Sequence, residues 1–207
     1  MASTETSPRI LRDSFGALPD GRRVERFRLL GGEGFEAVIL TYGGIVQALR
    51  VPDRDGRPAD IVLGHESLEP YIANRRFFGA TIGRYANRIA GGAFQLDGES
   101  YRLPVNNGPN SLHGGVNGFD RQLWTIETVH DGPVPTVTLA HVSPDGAEGY
   151  PGTLSTRLTY ALTGPREFSI SFEATTDRPL WPSLQSRAGV LRRAAGGSTA
   201  VRASCRS

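Results

Sequence analysis

His113 is the side chain in this sequence whose surroundings most suggest chemistry. It lies in a loop of residues 106–120 that holds five glycines or prolines and little apolar content. Long loops of this kind lose conformational entropy on folding and are often functional. Gly114 and Gly115 would let a ligand approach the backbone beside the imidazole, which titrates near neutral pH. The residues predict a ligand-binding loop, and spacing alone leaves open a surface loop with a solvated histidine.

A second group of polar side chains follows a short apolar stretch within residues 78–89. Arg84, Asn87 and Arg88 combine an amide that both donates and accepts with planar guanidinium donors. Such a set suits the vicinal hydroxyls of a sugar, or a carboxylate. The alternative is that the arginines pair with Asp or Glu on neighbouring strands, and Arg84, next to a glycine and an aromatic residue, is favoured for that structural role. The glycines here form no phosphate-binding fingerprint, because no Gly-rich turn opens a helix carrying Lys and Ser/Thr.

A third stretch, residues 143–152, carries the acidic residues Asp145 and Glu148. They could act as acid and base or as metal ligands, but Pro-Asp-Gly is a standard turn sequence, which favours a turn. No paired His or Cys occurs at metal-ligand spacing, so we expect no metal site. The single cysteine, Cys205, excludes internal disulfides and lies far along the chain from any histidine.

The elements that must position these residues are short strands separated by turns. A tight hairpin is predicted around Asp97-Gly98, and Leu154, Leu158 and Tyr160 alternate with polar residues as on a half-buried strand. One helix is expected at residues 67–75, opened by a Ser cap. Strands are predicted at residues 35–42, 45–51, 134–142, 153–162 and 168–172. This spacing predicts an all-β fold, an antiparallel sandwich or barrel.

Charge and composition divide the chain of 207 residues into three parts. Residues 1–20 are polar and are expected to be loose, residues 21–179 form the β domain, and residues 180–207 form a basic tail. The tail holds 5 Arg and no acidic residue, whereas residues 1–179 hold 18 Arg against 21 acidic residues. The main body gives no electrostatic reason to expect nucleic acid or a membrane as partner. No apolar signal-peptide core is present in residues 1–12, so a cytoplasmic protein is expected.

In these motifs the sequence resembles the aldose 1-epimerase (galactose mutarotase) family. The matches occur in the family's order between residues 43 and 177. They are Gly43-Gly44, Val51-Pro-Asp-Arg-Asp-Gly56, Asp60-Ile-Val-Leu-Gly64, Gly83-Arg-Tyr-Ala-Asn-Arg-Ile89, Asn110-Ser-Leu-His-Gly-Gly115, Gly118-Phe-Asp120 with Trp124, and Ser143-Pro-Asp-Gly146 with Glu148-Gly-Tyr-Pro-Gly152.

The resemblance implies a galactose mutarotase-like β-sandwich of mostly antiparallel sheets with a sugar cleft on one face. It implies interconversion of the α and β anomers of aldohexoses such as galactose and glucose, with a small-molecule aldohexose as partner and no cofactor or metal. By position, Asn87, Arg88 and His113 match the family's sugar-binding residues. A base would remove the C1 hydroxyl proton while an acid protonates the ring oxygen, so that the ring opens and recloses on its other face.

The sequence departs from the family after residues 174–177. There the family carries an Asn-His-x-Tyr-Phe-Asn-Leu motif whose His is the general acid, followed later by a sugar-binding Asp and a Glu general base. Residues 178–187 hold no His. We therefore expect a C-terminally incomplete sandwich with no catalytic acid or base, and a tail that is either disordered or the product of a frameshift. The first hypothesis is an impaired aldose 1-epimerase and the alternative a non-catalytic carbohydrate-binding remnant. A basic-tailed protein that contacts nucleic acid fits least, and the oligomeric state is left open.

Overall fold

The structure, a computed structural model, describes residues 9–179, 182–187 and 200–206, the last seven as backbone. It begins with a five-stranded antiparallel sheet in which each strand pairs with the next along the chain. Its strands are β1 (Arg9–Ala17), β2 (Arg23–Leu30), β3 (Glu36–Leu40), β4 (Ile45–Pro52) and β5 (Pro58–Asp60). Strand β3 is buried throughout, because it lies in the middle of the sheet with packed residues on both faces.

The middle of the chain is made of short elements that carry the motifs with candidate site residues. They are α1 (Glu69–Ala73), β6 (Thr81–Ile82), β7 (Arg88–Ile89), β8 (Ala93–Leu96), β9 (Glu99–Arg102) and β10 (Ser111–Leu112). β8 and β9 form the hairpin predicted around Asp97-Gly98, and β7 pairs with β10. In the described part of the chain, no helix has the length and apolar character needed to cross a membrane.

A second five-stranded sheet faces the first. Its strands are β11 (Thr125–His130), β12 (Thr136–Ser143), β13 (Leu154–Gly164), β14 (Glu167–Thr176) and, parallel to β14 at one edge, β16 (Ala200–Arg206). Strand β15 (Gln185–Ser186) lies outside this sheet and pairs with β6. Alternate residues of β13 point inward, as the sequence predicts, since Leu154, Leu158 and Tyr160 are buried.

The main core forms between the inner faces of the two sheets. Leu29, Ile39 and Leu49 of the first sheet pack in one cluster with residues such as Leu139 and Leu158 of the second, and each is fully buried. Burial of a side chain of this size stabilises the fold by about 1.5–3 kcal/mol. The two sheets therefore form one sandwich with a shared core.

Three segments differ from the sequence predictions. Residues 1–20 were predicted to be loose, but residues 9–17 form edge strand β1, which charged pairs such as Arg26 with Asp13 join to β2. Those charges obscure strand alternation in the sequence. The tail was predicted to be either disordered or a frameshift product; its described segments pair as β15 and β16, while residues 1–8, 180–181, 188–199 and 207 lie outside the described residues. The predicted helix is shorter, and Leu68 rather than a Ser is its cap.

Candidate functional site

Backbone pairing between two short strands brings His113 and Asn87 together. In the antiparallel β7–β10 pair, Leu112 lies opposite Arg88. His113 directly follows β10 and Asn87 directly precedes β7, so the two residues face each other. The backbone amide of Asn87 donates to His113 Nδ1 at a distance of 3.0 Å. The backbone amide of His113 donates to the backbone carbonyl of Asn87, also at 3.0 Å. Two motifs 26 positions apart thus become one site.

The hydrogen bond from Asn87 determines the tautomer of His113. A neutral imidazole has one accepting nitrogen, and here Nδ1 accepts, so the proton lies on Nε2. The ring is neutral at neutral pH, because burial lowers the pKa of His113 and the positive charge of Arg187 lowers it further. His113 is 5% exposed, so its ring is held in place rather than solvated. It therefore presents one fixed N–H donor, on Nε2.

An aromatic ring and an ion pair support His113 from the side. Phe77 meets the imidazole edge to face, with ring centroids 4.7 Å apart, and the Arg75 guanidinium lies 4.9 Å from the Phe77 centroid. Arg75 donates two hydrogen bonds to Asp120, at 2.7 and 2.8 Å, and a third to the Gly115 carbonyl at 2.6 Å. This bidentate pair ties the loop after α1 to the histidine loop.

Sequence reasoning missed Arg75 and Phe77, since nothing in the sequence distinguishes them from other residues after a short helix. Asp120 lies in the Gly118-Phe-Asp120 motif, but no feature of the sequence distinguishes it as a site residue. Its partner is 45 positions away, which no local pattern can indicate.

Two further side chains anchor the histidine loop. Asn106 accepts from the Leu112 amide at 2.7 Å and donates to the Gly115 carbonyl at 2.6 Å. Glu148 accepts from the Val116 amide at 2.6 Å. These bonds hold backbone groups on both sides of His113, which fixes the position of the loop around the ring.

The side chains of Asn87 and Arg88 are exposed beside the buried histidine. Arg88 donates through Nε to Asn107 Oδ1 at 2.8 Å, which orients its guanidinium. The structure thus brings all three predicted binding residues to one place, with His113 buried and the other two open to solvent. Their role in binding stays a prediction.

Arg84 has a different role, in agreement with the structural interpretation. It is 2% exposed and donates to Ser143 Oγ and to the carbonyls of Ser143, Pro144, Pro151 and Gly152, all at 2.7–2.9 Å. These partners are backbone carbonyls and a hydroxyl rather than the Asp or Glu of the ion-pair hypothesis. The guanidinium fork matches the clustered carbonyls of this turn, which lies next to the site.

Asp145 and Glu148 act as loop anchors in the structure. Asp145 accepts from the Gly152 amide at 2.5 Å, which closes the turn predicted from Pro-Asp-Gly, and Glu148 holds the histidine loop. Among the described residues, no group of three or more His, Cys, Asp or Glu side chains is placed to hold a metal ion.

Arg187 reaches the site from the segment that was assigned to the tail. Its Nη1 lies 3.0 Å from His113 Nε2. The side chain is delivered by β15, which runs along β6 next to the second motif. Sequence reasoning missed it, because an isolated arginine in an Arg- and Ala-rich stretch carries no positional signal.

The chain is similar in sequence to known proteins. The sequence model of the family described as aldose 1-epimerase matches residues 25–184, most of the chain. The chain belongs to the aldose 1-epimerase family. It is 48% identical over 156 residues to galactose mutarotase from Sus scrofa, covering 75% of this chain and 44% of that protein. It is 36% identical over 170 residues to aldose 1-epimerase from Escherichia coli K12, covering 82% and 48%.

Solved structures of the aldose 1-epimerase family share the fold. An aldose epimerase homologue from C. elegans superposes with a TM-score of 0.69 at 31% identity, covering 74% of this chain and 46% of that one. Galactose 1-epimerase from Lactobacillus acidophilus gives 0.67 at 29% identity, covering 77% and 46%. The predicted galactose mutarotase-like all-β fold is confirmed. The chain spans less than half the length of these family members.

Proposed function

We propose that His113, Asn87 and Arg88 form the sugar-binding part of an aldose 1-epimerase site that takes aldohexoses such as galactose and glucose. The observation that carries this proposal is the reciprocal pairing of His113 with the Asn87 backbone, which leaves one buried, neutral imidazole N–H as donor. Two exposed polar side chains adjoin it. A fixed donor next to an amide and a guanidinium fork matches the hydroxyl and ring oxygens of a pyranose.

In the reaction that the family name describes, opening of the ring needs two proton transfers. A base takes the C1 hydroxyl proton while an acid gives a proton to the ring oxygen, and rotation about the C1–C2 bond precedes closure. His113 Nε2–H would donate a hydrogen bond to a sugar oxygen and polarise it. Its Nδ1 is committed to the Asn87 amide, so the ring orients and polarises and does not shuttle a proton through both nitrogens.

The segment after residue 177 bears on how fast this chain can turn over a sugar. The side chain that it brings to His113 is Arg187, and a guanidinium keeps its proton in proteins. Arg187 therefore cannot serve as a general acid. We propose that the chain binds an aldohexose but exchanges its anomers slowly, which also favours the second candidate function, carbohydrate binding without turnover.

Two substitutions of His113 distinguish the role of Nδ1 from the role of Nε2. In His113→Asn the side-chain oxygen replaces Nδ1, so the bond from the Asn87 backbone amide is kept and the Nε2–H donor is lost. His113→Gln instead keeps a donor near the position of Nε2. We expect galactose affinity, measured by calorimetry, to fall about three- to tenfold in His113→Asn, the loss typical of one hydrogen bond. His113→Gln should lose less, and His130→Asn on exposed strand β11 should lose nothing. Unchanged affinity in His113→Asn would contradict the binding role.

Turnover is measured separately by polarimetry of freshly dissolved α-D-galactose, corrected for spontaneous mutarotation. We expect saturable binding with a catalysed rate far below that of a full-length family member. A comparable rate would show that the acid and base are supplied by residues other than those the resemblance implies.

A further inference from the structure

Next to the candidate site, the structure forms a second cleft, with a volume of about 210 Å³. Its lining comes mainly from residues 114–122, which include part of the histidine loop, and from residues 141–150. The side chains of Asn87, Arg88 and His113 are not part of that lining. The cleft is therefore a separate space with polar groups of its own.

Two side chains that line this cleft carry polar atoms without a partner in the described part of the chain. Tyr150 is 5% exposed, yet its hydroxyl makes no hydrogen bond to any described residue. His141 packs against Phe119 and Trp124, with ring centroids 5.0 and 5.4 Å away, and no described group pairs with its two nitrogens. Polar atoms that are withdrawn from water without a partner cost stability. A ligand that bonds to them would offset that cost.

Both of these groups are neutral at neutral pH and can donate as well as accept. Burial, with the positive charge of Arg84 as the smaller cause, lowers the pKa of His141 to about 4, so the imidazole keeps one N–H and one accepting nitrogen. Burial raises the pKa of Tyr150, so the phenol keeps its proton. The side-chain amides of Asn117 and Gln122 also line the cleft. Hydroxyl groups of a ligand, which likewise donate and accept, match such a lining.

The charges in the lining balance each other. Arg84 contributes one positive charge, and its N–H groups are already directed at Ser143 and nearby backbone carbonyls. Glu148 contributes one negative charge, and its Oε2 accepts from the Val116 amide. An ionic ligand would lose its hydration here without a net opposite charge to compensate it. The balance therefore favours an uncharged ligand.

Contacts within the protein hold the cleft in shape. The Gln122 side chain donates to the Asn117 carbonyl at 2.8 Å, and the Trp124 indole donates to the Phe119 carbonyl at 3.2 Å. Phe119 also adds an aromatic side chain to the lining. The volume exceeds the about 150 Å³ of a cavity that binds benzene, so a six-membered ring with substituents has room. A preformed cleft with aromatic side chains and a few convergent polar groups is typical of small-molecule sites.

We propose that this cleft is a second binding site, which takes a small, neutral, polyhydroxylated molecule such as a monosaccharide or a cyclic polyol. The Tyr150 hydroxyl, the His141 imidazole and the Glu148 carboxylate bind its hydroxyl groups, and Phe119 packs against its carbon atoms. The site is independent of the proposed function, because none of these four side chains is assigned to the sugar-binding group there.

The experiment uses myo-inositol as probe, because a cyclic polyol has no anomeric carbon and cannot be a substrate for exchange at C1. Nuclear magnetic resonance of the histidine ring C–H groups of the full chain follows the titration, with signals assigned from His141→Gln and His113→Asn. We expect myo-inositol to shift the His141 signal in a saturable way and to leave the other three histidines unchanged. D-galactose is titrated in parallel, and it should shift the signals of both His113 and His141.

Two tyrosine variants test the contact that carries the inference. Tyr150→Phe removes only the hydroxyl and should weaken myo-inositol binding about three- to tenfold. The matched control is Tyr101→Phe, since Tyr101 also contacts the Phe94 ring but does not line the cleft, and it should keep the affinity. Far-UV circular dichroism checks that both variants are folded.

The outcomes separate the second site from the proposed function. If neither probe shifts His141, or if Tyr150→Phe binds myo-inositol as tightly as the unsubstituted protein, the second site is wrong. If galactose shifts His113 alone, the proposed function stands without the second site. A shift of His141 without any shift of His113 would support the second site and contradict the proposed function. If myo-inositol shifts His113 instead of His141, the polyol occupies the candidate site and the second site is again wrong.

Discussion

At the scale of single residues, Arg84 is the side chain whose hydrogen bonds depend most on the shape of its own donor group. Its guanidinium directs all its N–H groups at one hydroxyl and the carbonyls of residues 143, 144, 151 and 152. Arg84→Lys keeps the charge but offers at most three donors without the planar fork. We expect the free energy of unfolding in urea to fall by about 3 kcal/mol, the value of two lost hydrogen bonds to a charged group. Arg178→Lys is the exposed control, and an equal effect in both variants would contradict the structural role of Arg84.

His141 ties the stability of the fold to pH. It packs against Phe119 and Trp124, and burial lowers its pKa from 6.5 to about 4. As the pH falls, the unfolded chain takes up this proton first, so the stabilisation is complete above about pH 6.5 and is lost as the pH approaches 4. We expect the loss to be about 2–3 kcal/mol, reduced from the full shift because the ring is only half-buried.

The measurement for His141 is the free energy of unfolding of the protein and of His141→Gln between pH 7 and pH 4. The difference between the two should shrink as the pH falls. The matched control is His130→Gln, which removes an imidazole from an exposed position of β11. A His141→Gln curve parallel to that of the unsubstituted protein would rule out this assignment.

At the scale of elements, the histidine loop depends on a close backbone approach at Gly114. Its φ is +86°, and an added Cβ would collide with the carbonyl of Gly83, the residue before Arg84. Gly108 in the same loop also has positive φ, at +57°, but nothing lies near its absent Cβ. The two glycines thus share the backbone constraint and differ in the space around them.

Alanine substitution separates these two effects. We expect Gly108→Ala to lower the free energy of unfolding by about 1 kcal/mol, from backbone conformation alone. Gly114→Ala should lower it by about 3 kcal/mol or more and weaken galactose binding, because the loop must shift away from β6 and carry His113 with it. Similar losses in the two variants would mean that the loop adjusts without strain.

At the scale of the whole molecule, the two sheets share one core and should unfold together. Leu49 of β4 and Leu139 of β12 belong to the same buried cluster. We expect Leu49→Ala and Leu139→Ala each to lower the free energy of unfolding by about 2–5 kcal/mol. In both variants, circular dichroism and tryptophan fluorescence should report one coincident transition. Val129→Ala, on an exposed position of β11, should change the stability by less than about 0.5 kcal/mol. Separate transitions for the two sheets would contradict a shared core.

Much of the fold and part of the candidate site follow from local patterns in the sequence. The alternation of Leu154, Leu158 and Tyr160 predicts the inner face of β13, because side chains of a strand point to opposite faces in turn. Asp97-Gly98 predicts the β8–β9 hairpin, because that pair tolerates the positive φ of a tight turn. Ordered motifs identified the family and selected Asn87, Arg88 and His113 as candidates.

Only the tertiary structure decided which of these groups meet and in what state. It placed Arg75 on Asp120 and Arg187 on His113, and it paired residues 9–17 as a strand. It also assigned the proton of His113 to Nε2 through the Asn87 amide. Each of these contacts joins residues that are far apart along the chain or depends on the direction of one hydrogen bond. Local periodicity and composition carry no information about contacts between distant residues or about the direction of a hydrogen bond, because strand pairing and loop packing set both.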